Sequence, residues 1–97
     1  MIDYPELGSW WNRRGDEIDV LGVDHQGGKA LAIEVKNKEL GESEAREILE
    51  LTLDKTKLVR GISDPKLKVG IVARKIKGKE HLESDGFLVW ELEELIP

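Results

Sequence analysis

Apolar and polar residues alternate in two stretches near the start of the chain, and a period of two predicts β-strands. One strand is predicted from Glu17 to Asp24, and the next from Lys29 to Asn37. Gln26-Gly27-Gly28 between them predicts the turn of a hairpin. A shorter strand is predicted from Trp10 to Arg14, so the chain opens with three consecutive strands.

The spacing of apolar residues then changes to that of an amphipathic helix. Ser43 is predicted to cap a helix that runs to about Arg60, and Gly61 is placed to end it. Residues three and four apart share one face of a helix. The predicted core-facing stripe comprises Ala45, Ile48, Leu49, Thr52, Thr56 and Val59.

Three further leucines lie on this predicted helix. Leu51 and Leu58 are expected to widen its apolar face, while Leu53 lies off that face. Apolar residues on more than one side of a helix predict a second contact surface. A dimer would supply such a surface.

The second half of the chain predicts two more strands. After a turn at Asp64-Pro65, a strand is predicted from Leu67 to Arg74, and Lys77-Gly78-Lys79 turns the chain again. A final strand is predicted from Gly86 to Glu91, and the acidic tail that follows it predicts one or two helical turns. The order is βββαβ with a last strand added, which predicts an α/β domain with a mixed sheet.

The composition limits the classes of protein that this chain can represent. With 97 residues, it has room for one hydrophobic core. The absence of cysteine excludes disulfides, thiolate zinc sites and cysteine nucleophiles. The polar start and the lack of a long apolar run predict a cytoplasmic protein with no membrane segment.

The net charge of −5 argues at first against nucleic acid, but the charge is unevenly distributed. One segment holds six cations and no acid, whereas residues 80–97 hold six acids and no lysine or arginine. The segment predicts a strip that contacts DNA phosphates. Lysines that keep a strand edge soluble are an equal alternative. The six cations are Lys66, Lys68, Arg74, Lys75, Lys77 and Lys79.

Three charged residues stand among the apolar residues of the second and third strands. Asp19 lies in the second strand, and Glu34 and Lys36 lie one residue apart in the third, so these two share a face. Such charges are costly unless they pair or hold a metal, and two acids beside a lysine suit a divalent cation. The alternative is a paired row of surface charges on a half-exposed strand.

The order of Gly15-Asp16-Glu17-Ile18-Asp19 and Ala32-Ile33-Glu34-Val35-Lys36 resembles the PD-(D/E)XK nuclease superfamily. With Trp10-Trp11 before them, these motifs look like the nuclease-like domain at the C-terminus of certain archaeal and bacterial AAA+ ATPases. The resemblance extends from about Leu7 to Trp90. It implies a restriction-endonuclease-like fold, with residues 1–97 as a single nuclease-like domain that forms the C-terminal part of a longer ATPase.

The resemblance also implies a site and an activity. Asp19 and Glu34 would bind Mg²⁺ or Mn²⁺, the carbonyl of Val35 would be a further ligand, and Lys36 would complete the catalytic set. The implied function is metal-dependent phosphodiester hydrolysis on DNA. Glu17 shares a face with Asp19 by strand alternation. It is therefore a candidate to orient the metal ligands without contacting the metal itself.

The chain departs from the superfamily at its start, where the usual first core helix is missing. A second copy or an ATPase domain would then cover the face that this helix normally covers, so we expect a homodimer or an association with an ATPase domain. The alternative function is a noncatalytic module that holds nucleic acid or protein for such an ATPase. The Gly-x-x-x-x-Gly-Lys-Ser/Thr phosphate loop is absent, so ATP hydrolysis by that route would need a separate domain.

The remaining aromatic and imidazole side chains predict no second site. Of Trp10 and Trp11, one is expected in the core, while the other remains open to stacking on unpaired bases. His25 and His81 have no histidine or cysteine partner at zinc spacing, and both are expected to be exposed bystanders.

Overall fold

The computed structural model describes residues 6–11, 13–24, 29–59 and 67–95. Five strands within these ranges form one sheet, and their order in the sheet follows their order in the chain. The first three strands pair antiparallel, and the last two join in parallel, so the predicted mixed α/β sheet is confirmed. The strands are β1 (Glu6–Trp11), β2 (Glu17–Asp24), β3 (Lys29–Leu40), β4 (Leu67–Ile76) and β5 (Leu88–Glu91).

In the described part of the chain, three helices accompany the sheet: α1 (Glu42–Thr56), α2 (Lys79–Ser84) and α3 (Leu92–Leu95). Parallel neighbours need a crossover connection, and α1 and α2 lie in the two crossovers that lead into β4 and β5. The sequence predicted α1 and the helical turn at α3. It did not predict α2, which occupies what was expected to be a polar connection.

Several strand boundaries differ from the predicted ones. β1 ends at Trp11, whereas the prediction began at Trp10 and included two arginines that instead lie in the turn before β2. That turn needs Gly15, whose φ of 91° lies in the left-handed region. β3 continues to Leu40 because, after a register shift, its polar end still pairs with the end of β4.

The start of α1 also differs from the prediction, because Ser43 does not cap it. Gly41 occupies the cap position with φ −75° and ψ 162°, and no side chain caps the helix there. Its carbonyl accepts the first helical hydrogen bond from the amide of Ala45 at 3.0 Å. Ser43 therefore lies two residues too late to act as the cap, inside the first turn of the helix.

The main core lies between α1 and the sheet. The predicted stripe of α1 supplies it, with Ala45, Leu49, Thr52 and Thr56 buried. The prediction for the three flanking leucines was wrong. Leu53, which was expected to lie off the apolar face, packs against this core, while Leu51 and Leu58 are 53% and 47% exposed. The predicted stripe was right, but the apolar face widens on the opposite flank.

A second apolar cluster covers the other face of the sheet. Trp90 of β5 packs closely over Gly70, where an added Cβ would lie 3.0 Å from Cζ3 of the indole. The buried members of this cluster are Leu31, Ile33 and Val72. Trp10 is partly buried against a third cluster, formed by Ile18, Leu21 and Ala32, whereas Trp11 is 72% exposed. One tryptophan thus packs against the core.

Charged residues link α1 to α2. Nδ1 of His81 lies 2.7 Å from Oε2 of Glu42, and Arg46 lies 2.8 Å from Asp85. His81 is exposed as predicted, but it is not a bystander, because it ties the start of α1 to α2. Gly78, with φ 72°, makes room for the side chain of Glu42 over the turn.

Some predicted features lie outside the described residues, namely His25, Lys66, Gly61 and the turns at 26–28 and 64–65. Across the part of the chain that is described, no helix combines the length and apolar character needed to cross a membrane.

Candidate metal centre

The pairing of β2 with β3 brings Asp19 next to Glu34. Val20 pairs with Ile33 in the antiparallel register, so the next position along each strand holds one of the two acids. The amide of Val35 donates a hydrogen bond of 2.9 Å to Oδ2 of Asp19. The Asp19 side chain thus reaches across to the backbone of β3 beside Glu34.

Glu34 is buried on the α1 side of the sheet. It pairs with Ile71, which belongs to the core beneath α1, and residues paired in a sheet share a face. Its side chain is only 6% exposed. A carboxylate that is removed from water to this degree needs a compensating charge or hydrogen bond.

The compensating charge comes from α1. Nζ of Lys55 lies 3.5 Å from Oε1 of Glu34, and the lysine side chain is 28% exposed. Lys55 lies in the last turn of α1. The helix that covers the sheet therefore also supplies a cation to the buried acid.

The electrostatic environment of Glu34 favours its neutral form. Burial raises the pKa of its carboxyl above the ordinary value, and the adjacent Asp19 carboxyl raises it further by charge repulsion and hydrogen bonding. The ammonium of Lys55 acts in the opposite direction and lowers the pKa. Two neighbouring carboxyls, with one lysine beside them, form the electrostatic centre of this site.

Lys36 shares the face of Glu34 by strand alternation, as predicted, and is partly exposed. It pairs in register with Ala73 of β4. Within the described ranges, no hydrogen bond or ion pair ties its ammonium to another residue. The two predicted acids thus meet, but the cation in contact with Glu34 is Lys55.

The donor set fits a small divalent cation. Mg²⁺ prefers one or two carboxylates together with waters and phosphate oxygens, and Asp19 and Glu34 provide two. Among the residues that the structure describes, no group of three or more acids or histidines is arranged to hold a metal. Glu17 is exposed at the start of β2, opposite Trp11, and does not add a third carboxylate. That the carbonyl of Val35 is a further metal ligand stays a prediction.

The cations predicted to contact DNA do not form one continuous strip in the structure, because they lie at different places on and beyond β4. Lys68 pairs with Leu31, so by alternation Lys68 and Arg74 lie on the sheet face opposite Glu34. Lys75 and Lys77 are exposed at and beyond the end of β4. Whether they contact DNA stays a prediction.

Lys79 differs from the other described cations of this segment, because it forms an ion pair with Glu94 of α3. This contact raises the pKa of Lys79 and lowers that of Glu94. Lys79 thus has a structural partner that joins α2 to α3.

Lys55 was missed by the sequence analysis, because it lies 21 residues from Glu34. Alternation within a strand places Lys36 near Glu34, but it says nothing about which residue of a later helix will cover them. A signal was present: Lys55 lies seven residues after Ile48, on the same flank of the helix. Ile48 packs against the core, so that flank also faces the sheet.

Comparison of the sequence with known proteins gives one family and one relative. Residues 1–48 match the family described as DUF234, archaeal and bacterial proteins of unknown function. An uncharacterized protein of Methanocaldococcus jannaschii is 37% identical over 78 residues. The match covers 80% of this chain but only 17% of that longer protein.

Comparison of the structure gives two similar proteins. A repair endonuclease from Pyrococcus abyssi has 22% identity and a TM-score of 0.54, with 88% of this chain and 37% of that chain covered. The EndoMS protein in a complex with double-stranded DNA has 18% identity and a TM-score of 0.49, with 90% and 36% covered. The chain therefore has the nuclease-like α/β fold of the repair endonuclease and spans about a third of its length.

Proposed function

We propose that this chain is a nuclease-like domain that binds Mg²⁺ or Mn²⁺ through Asp19 and Glu34 and takes part in phosphodiester hydrolysis on DNA. The observation that carries the proposal is that the strand register and the Val35–Asp19 hydrogen bond place the Asp19 carboxylate beside Glu34, at a position where Glu34 is almost fully buried. Burying one acid against another costs stability, and function is a common reason for keeping such an arrangement. The fold shared with a repair endonuclease supports the same function.

Each residue of the site has a separate task in this proposal. When bound, a divalent cation supplies Lewis acidity, which makes a water more nucleophilic and offsets charge on the phosphate. Asp19 and Glu34 hold the ion, and the Val35 amide fixes the orientation of Asp19. Lys36 lies on the same face, where its ammonium orients the attacking water or stabilises the charge that develops on the phosphate.

The wider context belongs to the same proposal. The chain spans a small part of its longer relative, so we place it within a cytoplasmic protein whose remaining part includes an AAA+ ATPase domain. A second copy or that ATPase domain covers the face that the first core helix covers in the superfamily. Of the cations predicted to contact DNA, we retain Lys75 and Lys77 near the end of β4, because Lys68 and Arg74 lie on the sheet face opposite Glu34.

A noncatalytic module that holds nucleic acid or protein for an ATPase is the second candidate. Two observations favour it. Within the described residues, the site has two carboxylates and no third acid. The ammonium of Lys55, in contact with Glu34, also compensates the negative charge of Asp19 and Glu34 in the absence of metal. The two candidates differ in whether bound metal leads to cleavage.

The test combines metal binding with cleavage. Calorimetric titration with Mn²⁺ is carried out on the wild type and on Glu34→Ala, and both proteins are assayed for nicking of branched, single-stranded and duplex DNA. Glu50→Ala, at an exposed position of α1, controls for the loss of one acid. The proposal predicts Mn²⁺ binding and metal-dependent nicking by the wild type and by Glu50→Ala, and neither by Glu34→Ala.

Three results would contradict this prediction in different ways. Mn²⁺ binding without cleavage of any substrate would favour the noncatalytic module. The absence of binding and of cleavage would leave an interaction domain with no metal. Cleavage that is retained in Glu34→Ala would show that a different site is responsible.

A further inference from the structure

The contact between Lys55 and Glu34 is not part of the predicted motif, and its geometry is unusual for a surface ion pair. Lys55 comes from α1, the helix that covers the sheet, and its side chain is mostly shielded from solvent. Glu34 is nearly inaccessible beneath it. The attraction between two charges that are shielded in this way is screened less by water and salt than it is in an exposed pair.

The ammonium of Lys55 and a divalent cation require the same carboxylate. Lys55 Nζ lies 3.5 Å from Oε1 of Glu34, which is the acid proposed to bind the ion. Two positive charges a few ångströms apart repel strongly in a partly buried site. A bound ion at Glu34 would therefore face the positive charge of Lys55 for as long as the lysine stays in place.

We propose that Lys55 is the internal counter-cation of the Asp19–Glu34 pair and that it gives up its contact with Glu34 when a divalent cation binds. The inference rests on the proposed metal-binding function and adds a regulating residue to it. Lys55 keeps the buried acids compensated in the metal-free protein. It also lowers the affinity for metal, so that the ion binds only where its concentration is sufficient to displace the lysine.

The same helix end offers a matched control. Lys57 forms an ion pair with Asp54 at 3.4 Å, but both side chains are about 70% exposed. Replacing either lysine with methionine removes one positive charge and keeps a similar length of side chain. Only Lys55 contacts Glu34, so the two variants separate the local effect from the change in net charge.

The experiment measures the affinity for Mn²⁺ by calorimetry at pH 8, in the full chain, for the wild type, Lys55→Met, Lys55→Arg and Lys57→Met. Removing a positive charge that close to a divalent ion is expected to tighten binding by about tenfold. Lys55→Arg keeps the charge, and Lys57→Met leaves the site untouched. Both are expected to stay within about twofold of the wild type.

A second measurement needs no substitution that could disturb folding. Mg²⁺ is added to the wild type while the NMR signals of the lysine Cε–H groups are followed. The proposal predicts that the signal of Lys55 shifts as its contact with Glu34 is lost, while the signal of Lys57 stays in place. An unchanged Lys55 signal at saturating Mg²⁺ overturns the inference.

The outcomes separate this inference from the proposed function. Mn²⁺ binding by the wild type, with no tightening in Lys55→Met, overturns the role of Lys55 and leaves the metal site standing. The absence of Mn²⁺ binding in the wild type and in Lys55→Met overturns both. Equal tightening in Lys57→Met would show a general charge effect and would also overturn the inference.

Discussion

Asp19 and Val35 are joined by a hydrogen bond of 2.9 Å, from the amide of Val35 to Oδ2 of the aspartate. Val35 is the residue between Glu34 and Lys36, so this bond fixes the aspartate beside both predicted site residues. It links β2 and β3 just beyond the last paired residues, Val20 and Ile33. The side chain of Asp19 therefore continues the connection between the strands and also positions a carboxylate next to Glu34.

Substitutions of Asp19 should separate these two tasks. Asp19→Asn keeps an oxygen that can accept the bond from Val35, whereas Asp19→Ala removes it, so Asp19→Ala should be less stable than Asp19→Asn by about 1 kcal/mol. Both variants remove the charge repulsion with Glu34, so their difference reports mainly the hydrogen bonds that the side chain at position 19 makes. Urea denaturation measures it. Equal stability of the two variants would show that this bond contributes nothing.

The pH dependence of stability should report the burial of Glu34. Its pKa in the folded state is raised above the ordinary 4.5, so between these two values the folded protein binds more protons than the unfolded chain. The contribution of the Glu34 carboxyl to the free energy of unfolding is greatest at low pH. It is lost as the pH rises through the pKa of the folded state. Glu34→Gln removes this loss, so the free energy of unfolding of Glu34→Gln relative to wild type should increase from pH 4 to pH 7.

Glu50→Gln provides the control for that experiment, because Glu50 is exposed on α1. Its difference from the wild type should change much less over the same pH range. Chemical denaturation at each pH measures both differences. The same trend in the two variants would mean that the burial of Glu34 is not the cause.

A side chain at Gly70 should destabilise the fold. A Cβ there would lie 3.0 Å from Cβ of Leu88 and from Cζ3 of Trp90, so both neighbours would have to shift by a few tenths of an ångström. Overpacking of this kind typically costs about 1–3 kcal/mol. Gly8→Ala is the matched control in another strand, because a Cβ at Gly8 meets nothing within 4 Å. Thermal unfolding should show a large loss for Gly70→Ala and a small change for Gly8→Ala; similar losses would contradict the packing of Trp90 over β4.

Lys36 should matter for cleavage and not for metal binding. Lys36→Met is expected to lower the nicking rate by about 100-fold or more, the effect typical of losing one group that stabilises transition-state charge. Its Mn²⁺ affinity should not fall, because the carboxylates remain. Lys38→Met is the control, since Lys38 lies two residues further along β3, exposed and paired with Glu44. A parallel loss of activity in Lys38→Met, or a loss of metal binding in Lys36→Met, would contradict the assigned role.

Much of the sheet could be predicted from the sequence, because period-two alternation is a local signal. β2 has the predicted bounds, and β3 begins at the predicted residue. The polar end of β3, around Lys38, could not be predicted, because it is held by pairing with a distant strand. The short helix α2 was missed because one buried residue, Leu82, is too little to give an apolar period.

The site was predictable as far as it depends on neighbouring strands. Asp19 and Glu34 meet because strand alternation and an antiparallel hairpin leave few other arrangements. Lys55 depends on how α1 packs across the sheet, and the flank of the helix that faces inward was misjudged at Leu51 and Leu53. Local sequence patterns fix which residues share a face, but they do not fix how a helix is rotated over the sheet.

The central claim is that Asp19 and Glu34 form a single site for a divalent cation, and paramagnetic NMR tests it most directly. Substoichiometric Mn²⁺ is added to the ¹⁵N-labelled chain, and the broadening of each amide signal is measured. The account predicts that broadening is strongest at the amides of Asp19, Glu34 and Val35 and is lost in Glu34→Gln. Broadening centred elsewhere in the chain, or the same broadening in Glu34→Gln, would contradict it.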